Sequence, residues 1–161
     1  MAETALATGG RQPLHPRPAV PADAGRLYTL TRPLQKSGDL RTRRERHFKT
    51  LIHDFFVIEK DAGTIIACAA LHPHLSEGIG ELACIATHQD CRGSGLGRRL
   101  LKRVEQAAMK QGLLGLFAVS TRAVSWFREQ GFRVGDSRLL PAARKLPPAC
   151  RGAHILFKPL G

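Results

Sequence analysis

Residues Asp90–Gly97 read D-C-R-G-S-G-L-G, and the chain on either side gives this stretch its meaning. Arg92, Gly95 and Gly97 make R-x-x-G-x-G. An apolar run, Leu82–Ala86, lies before it. After it Leu96, Leu100, Leu101, Val104 and Ala108 recur at helical spacing on one stripe. The pattern is a strand, a glycine turn and the opening of a helix. Glycine lets backbone approach a ligand with no Cβ between them. The free N–H groups of a helix N-terminus carry partial positive charge, so the combination suits a phosphate. An ordinary strand-to-helix turn uses glycine too. Two other phosphate motifs fail: Arg98 follows Gly97 where a P-loop needs lysine, and Gly93, Gly95 and Gly97 are spaced G-x-G-x-G rather than G-x-G-x-x-G. The preceding run also carries Glu81, which a fully buried parallel strand would avoid.

The 161 residues suit a single core, and 43% hydrophobic with 24% charged content is ordinary for a globular protein. No apolar run reaches the roughly 18 residues of a membrane span, and Met1–Gly10 lacks the apolar centre of a secretory signal. Cys68, Cys84, Cys91 and Cys150 form no C-x-x-C pair. Cys68 and Cys84 read as buried thiols, and the chain as cytosolic and reduced. A net charge of +12 admits nucleic acid, anionic membrane or small anions as partners. Its densest cluster, Arg41, Arg43, Arg44, Arg46 and Lys49, reads as a solvated helix face. It lacks the repeated aromatic interleaving of a single-strand platform, and there is no helix-turn-helix or zinc pattern. Neither nucleic acid nor membrane is therefore expected. A metal site wants three or four ligands at suitable spacing; beyond His72, His74 and His88 no further cluster is evident, so these read as loop histidines and no metal is expected.

Residues 1–15, small and polar, read as a disordered N-terminal segment, and 16–161 as one domain. Arg17-Pro18-Ala19 begins an edge strand. Asp23 is placed to cap a helix running to about Leu34, broken at Ser37-Gly38-Asp39. A second, basic helix is expected over about 42–52. Strands over 55–60 and 64–71 flank the hairpin signal Asp61-Ala62-Gly63, and 79–87 is the next strand. A long helix over 95–111, a buried strand over 116–119 and a helix over 122–130 follow. Late strands fall at 132–135 and 154–158, with Pro141, Pro147 and Pro148 marking the loop between them.

Beside R-x-x-G-x-G stand G-E-L-A-C at Gly80–Cys84, L-F-A-V-S-T-R at Leu116–Arg122 and W-F-R-E-Q-G-F at Trp126–Phe132, with I-I-A-C-A-A-L at Ile65–Leu71 upstream. Together these resemble the GNAT acetyltransferases, and among them the acetyltransferase domain of bacterial N-acetylglutamate synthases. The likeness runs from about Arg17 to the C-terminus. It implies a mixed α/β fold: a twisted, mostly antiparallel sheet flanked by helices, splayed centrally to admit acyl-CoA between the strands ending at Thr87 and Ser120. It also implies transfer of acetyl from acetyl-CoA to the α-amine of L-glutamate, the first step of arginine biosynthesis. Another amino acid, a peptide amine, or a non-catalytic acyl-CoA-binding module remain as alternatives, and homo-oligomerisation is left open.

The chemistry sets requirements that residues can be matched to. A protonated amine needs a base. Glu81 lies within an apolar strand, where desolvation favours the proton-holding form, unless it faces solvent at a sheet edge. The resemblance assigns the glutamate of G-E-L-A-C this role. Backbone N–H groups near Ile85 and Ala86 can stabilise the oxyanion, and Ile85–Thr87 can pair with the pantetheine arm as an added strand. The resemblance places the pyrophosphate on Arg92, Gly93, Ser94, Gly95, Leu96, Gly97 and Arg98. The leaving thiolate wants a donor. Many enzymes of the family use a tyrosine here, but the chain has one, Tyr28, far from the motif in sequence; the resemblance points to Ser120, which matches the serine of the family's L-F-A-x-S-T, with a backbone-satisfied strand-end serine as the bland reading. A covalent route through Cys84 lacks a cationic neighbour in the sequence. The family places substrate-carboxylate arginines at positions matched by Arg43 and Arg151. The chain departs from the family at L-P-P-A-C-R-G-A, where Pro147 replaces a tyrosine and Ala153 a serine, and at Ala123, often threonine. The kinase-like domain that precedes the usual enzyme has no counterpart in these residues.

Overall fold

The computed structural model describes residues 14–61, 63–146, 150 and 152–161. Seven strands, β1 (Arg17–Pro18), β2 (Phe55–Lys60), β3 (Thr64–His74), β4 (Ile79–Thr87), β5 (Gly115–Ser120), β6 (Arg133–Gly135) and β7 (His154–Pro159), form one sheet in the order β1-β2-β3-β4-β5-β7-β6. All neighbours run antiparallel except β4 and β5. Helices α1 (Ala24–Ser37) and α2 (Glu45–Thr50) cover one face, and α3 (Leu96–Lys110) and α4 (Val124–Glu129) the other. Alternation along β2 shows why both faces are apolar. Phe56 and Ile58 join the core beneath α3, while Phe55 and Val57 join the core beneath α1.

The helical stripe read from the sequence is the buried face of α3: Leu96, Leu100, Leu101, Val104 and Ala108 are all buried. Leu100 is fully inaccessible, so Leu100→Ala should cost about 2–5 kcal/mol of stability. Chemical denaturation would read this as a lower midpoint, and a change under about 1 kcal/mol would mean the core collapses around the site.

Two irregularities shape β4. Its parallel pairing with β5 covers only Ile79–Glu81 against Gly115–Phe117, whereas β5 stays paired to β7 out to Ser120. Beyond Glu81 the two central strands therefore diverge, and β4 keeps a free edge. A bulge shifts its register on β3 between Cys68 and Ala70, and Cys84 takes a left-handed φ of 50° there. A bulge turns the local backbone and spends ladder bonds. The backbone after it, at Ile85 and Ala86, is thus re-aimed beside the gap.

Several sequence expectations shift. α2 is shorter than 42–52, so Arg41–Arg44 precede it in an irregular connection. β3 runs through His74, which places His72 and His74 in a strand and not in a loop. Asp23 does not cap α1 with its side chain. It accepts from the Val20 amide at 2.8 Å and pairs with both Arg17 nitrogens, at 2.8 and 3.1 Å. The Arg17 hydrogen bond, aided by Val20 N–H, holds the Asp23 carboxyl below its usual range. A depressed folded value contributes stability that is complete above the unfolded value and is lost as pH falls through the folded one. Asp23→Asn should therefore destabilise at neutral pH and flatten the acid limb of a Tm-versus-pH curve; parallel wild-type and variant curves would rule the pair out as a contributor. Residues 1–13, most of the segment expected to be disordered, lie outside the described residues, as do Arg151 and Pro147.

Candidate active site

Two cavities flank the divergence, joined by the strand between them. The first, about 690 Å³, lies between the ends of β4 and β5 and the start of α3. Ile85, Ala86 and Thr87 line it from β4, and Arg92, Gly93, Gly95, Leu96, Gly97 and Arg98 from the glycine loop, with Ser120 opposite. Gly93 and Gly95 have φ of 78° and 82°, a region L side chains rarely adopt, and Gly95 is the residue before the first turn of α3. Both glycines line the cavity at the positive end of a 15-residue helix, where free N–H groups suit an anion. Ser94 is turned away: its hydroxyl donates to the Cys91 carbonyl and closes the loop. Gly97 serves packing, since a Cβ there would lie 3.2 Å from the Trp126 ring. Ser120 Oγ accepts from Ala123 N–H at 3.1 Å. That is the strand-end satisfaction expected of any such serine, yet it leaves the hydroxyl proton free to donate. Tyr28 packs on Phe48 with ring centroids 6.4 Å apart and lines neither cavity.

The second cavity, about 680 Å³, opens on the face covered by α1 and α2. Glu81 and Arg43 both line it. Glu81 is only 7% exposed and lies on a central strand, not at the sheet edge. Arg41, Arg44 and Arg46 also line this cavity, so much of the basic cluster is turned to a concave site and is not simply a solvated helix face. With Arg43, Arg144 and Lys145 they put six cationic side chains around the single carboxylate of Glu81.

Three features were not read from the sequence. Arg144 grips Glu81 with two hydrogen bonds, Nε to Oε2 at 2.9 Å and Nη2 to Oε1 at 3.0 Å, and this raises the already high guanidinium value further. Its 63-residue separation and irregular surroundings gave no periodic signal. His72 sits directly across from Glu81 in the β3–β4 ladder and therefore on the same face, with Nδ1 2.7 Å from Asp54 Oδ2. His47 has a buried Nε2 without a hydrogen-bond partner among the described residues; burial, then the charges of Arg43, His72 and Arg41, push its value down and favour the neutral ring.

Cys84 needs a correction. It does have a cationic neighbour: hydrogen bonding with Cys68 and the charge of Arg43 hold its thiol below the ordinary range, against the effect of burial. The thiol is nonetheless buried and lines neither cavity, which favours direct transfer over attack by Cys84. Among the described residues no group of three or more His, Cys, Asp or Glu is placed to hold a metal ion, and no helix is long and apolar enough to cross a membrane.

Residues 52–134 match the acetyltransferase (GNAT) domain family. The chain is 43% identical over 140 residues to the amino-acid acetyltransferase of Escherichia coli K12, covering 86% of this chain and 31% of that protein. It is 44% identical over 123 residues to that of Salmonella typhi, covering 76% and 28%. N-acetylglutamate synthase from Neisseria gonorrhoeae, solved with coenzyme A and N-acetyl-glutamate, superposes with a TM-score of 0.86 at 32% identity, over 94% of this chain and 36% of that one. The chain thus spans about a third of the length of these relatives.

Proposed function

Because the chain belongs to the GNAT acetyltransferase domain family, we propose that it transfers acetyl from acetyl-CoA to the α-amine of L-glutamate by direct attack. The observation that carries this is the placement of Glu81. It is a buried carboxylate on the strand that leads from a cation-lined cavity to a glycine loop opening a helix. The relatives' names support an amino acid as acceptor, and the name and ligands of the gonococcal structure support glutamate.

The pyrophosphate of acetyl-CoA lies on the amides of Gly93–Gly97, with Arg92 and Arg98 supplying charge. The pantetheine arm pairs with the free edge of β4 at Ile85–Thr87, filling the place β5 vacates. Glutamate, a dianion with one ammonium, enters the cationic cavity, where Arg43 and, from outside the described residues, Arg151 are the arginines assigned to its carboxylates. Glu81 takes the amine proton directly or through one water. The amine then attacks the thioester carbon, and the oxyanion meets N–H groups that follow the Cys84 bulge. As the C–S bond breaks, the thiolate leaves with a hydrogen bond from Ser120 and takes up the proton that the nitrogen sheds on becoming an amide. Free buried thiols at Cys68 and Cys84 are in keeping with a reduced, cytosolic setting.

The test is to incubate the purified protein with acetyl-CoA and each of the twenty amino acids and to identify products by mass spectrometry. N-acetylglutamate alone is expected. A different acetylated amino acid would overturn the acceptor, and no product would overturn the activity.

A further inference from the structure

Glu81 is both the candidate base and an occupied ligand. Arg144 takes both carboxylate oxygens, and the two side chains are 10% and 16% exposed. A carboxylate so held has an N–H donor on each oxygen, so the lone pairs facing the guanidinium are engaged and not open to an incoming amine. The grip is built to be exchanged. Arg144 lies in residues 140–146, which form neither helix nor strand, so moving its guanidinium breaks no sheet ladder. Its third nitrogen, Nη1, is tied to the Lys145 carbonyl at 2.8 Å, which leaves the Nε–Nη2 edge as the fork. Pulling that fork away with no replacement strands two poorly solvated charges, whereas trading one carboxylate for another conserves a bidentate pair.

We propose that Arg144 is a latch exchanged by substrate: the α-carboxylate of the incoming amino acid takes the Nε–Nη2 fork from Glu81, and the carboxylate so released becomes the base. This rests on the reading of the chain as a glutamate acetyltransferase. The α-carboxylate is the one committed because it is attached to the carbon bearing the amine. An amine delivered to Glu81 brings that carboxylate to a guanidinium 3 Å away, while the side-chain carboxylate is left to other cations of the same cavity, such as Arg43. An amine without an α-carboxylate leaves the latch closed. Arg144 is thereby a specificity-determining residue that couples recognition of an amino acid to activation of its base.

The experiment compares kcat and KM for L-glutamate, L-isoglutamine (α-amide) and L-glutamine (side-chain amide) in wild type, Arg144→Ala and Arg144→Lys. Calorimetry then follows L-glutamate binding to wild type and Glu81→Gln in the presence of CoA. Wild type should discriminate against isoglutamine by about 100-fold or more in kcat/KM. Arg144→Ala should shrink that ratio to within about tenfold, chiefly through loss on glutamate, and leave the glutamate-to-glutamine ratio unchanged; Arg144→Lys should restore part of it. Glu81→Gln no longer competes as an anion, so it should bind glutamate about tenfold tighter than wild type. An unchanged isoglutamine ratio in Arg144→Ala, or unchanged or weaker glutamate binding by Glu81→Gln, would overturn the latch. Should Arg144→Ala fail to fold, the Glu81→Gln titration decides alone, because it retains Arg144. A wild type that acetylates isoglutamine but not glutamate also overturns it. One that acetylates neither defeats the functional reading itself, and the latch with it.

Discussion

Glu81→Gln is expected to lower kcat for glutamate acetylation by about 10²- to 10⁴-fold while leaving the KM for acetyl-CoA within about threefold. The split follows from where the side chain lies. Glu81 lines the cationic cavity, whereas the glycine loop and Ile85–Thr87 line the other. Glutamine keeps the shape and can still accept one hydrogen bond from Arg144, so the fold is preserved; circular dichroism and Tm check this. What is lost is a group able to hold the amine proton. Steady-state rates with acetyl-CoA saturating, then with glutamate saturating, separate the two parameters. A kcat within tenfold of wild type would remove Glu81 as the base. His72 would then be next in line, since it shares the face and has Asp54 on Nδ1 to orient its ring.

The strand, glycine turn and helix around R-x-x-G-x-G were legible because their signals are local. R-x-x-G-x-G, an apolar run before it and a 3.6-period stripe after it fix strand, turn and helix within thirty residues, and the observed β4 and α3 differ from expectation by one residue at most. The resemblance supplied what periodicity cannot, a central splay between the strands ending at Thr87 and Ser120, and in the structure β4 and β5 pair only as far as Glu81. The acceptor side was legible only in part. Glu81 stood out as a charge in an apolar strand, but its partner Arg144 lies 63 residues away on irregular backbone. Nothing in local pattern links two such positions. The H-P-H stretch misled because proline is rare within strands. Pro73 is nevertheless accommodated opposite Gly80 in the β3–β4 ladder, which carries His72 onto the Glu81 face. The basic cluster looked like one face of a helix, yet α2 begins only at Glu45. Arg41, Arg43 and Arg44 line the cavity from irregular chain ahead of the helix and Arg46 from its first turn, a placement that a charge count cannot foresee.

Gly95→Val is expected to raise the KM for acetyl-CoA by about 10- to 100-fold, with a smaller fall in kcat at saturation. At φ 82° a β-branched residue is strained by about 1–2 kcal/mol or more, and relief of that strain would rotate the amides that open α3. A Cβ at Gly95 would meet no protein atom within 4 Å. The substitution therefore spares the core and spends its effect on backbone direction and on the space where phosphate would sit. Gly97→Val makes the contrast. Its backbone is ordinary for a helix, but a Cβ would press the Trp126 ring at 3.2 Å, so it should lower Tm more than Gly95→Val does. Equilibrium titration with CoA, alongside thermal melts of both variants, reads the two effects separately. CoA affinity within threefold of wild type in Gly95→Val would mean the loop amides do not hold the pyrophosphate. Binding would then rest on Arg92 and Arg98, whose charge acts without a fixed backbone geometry and would show as a steep loss of affinity with salt.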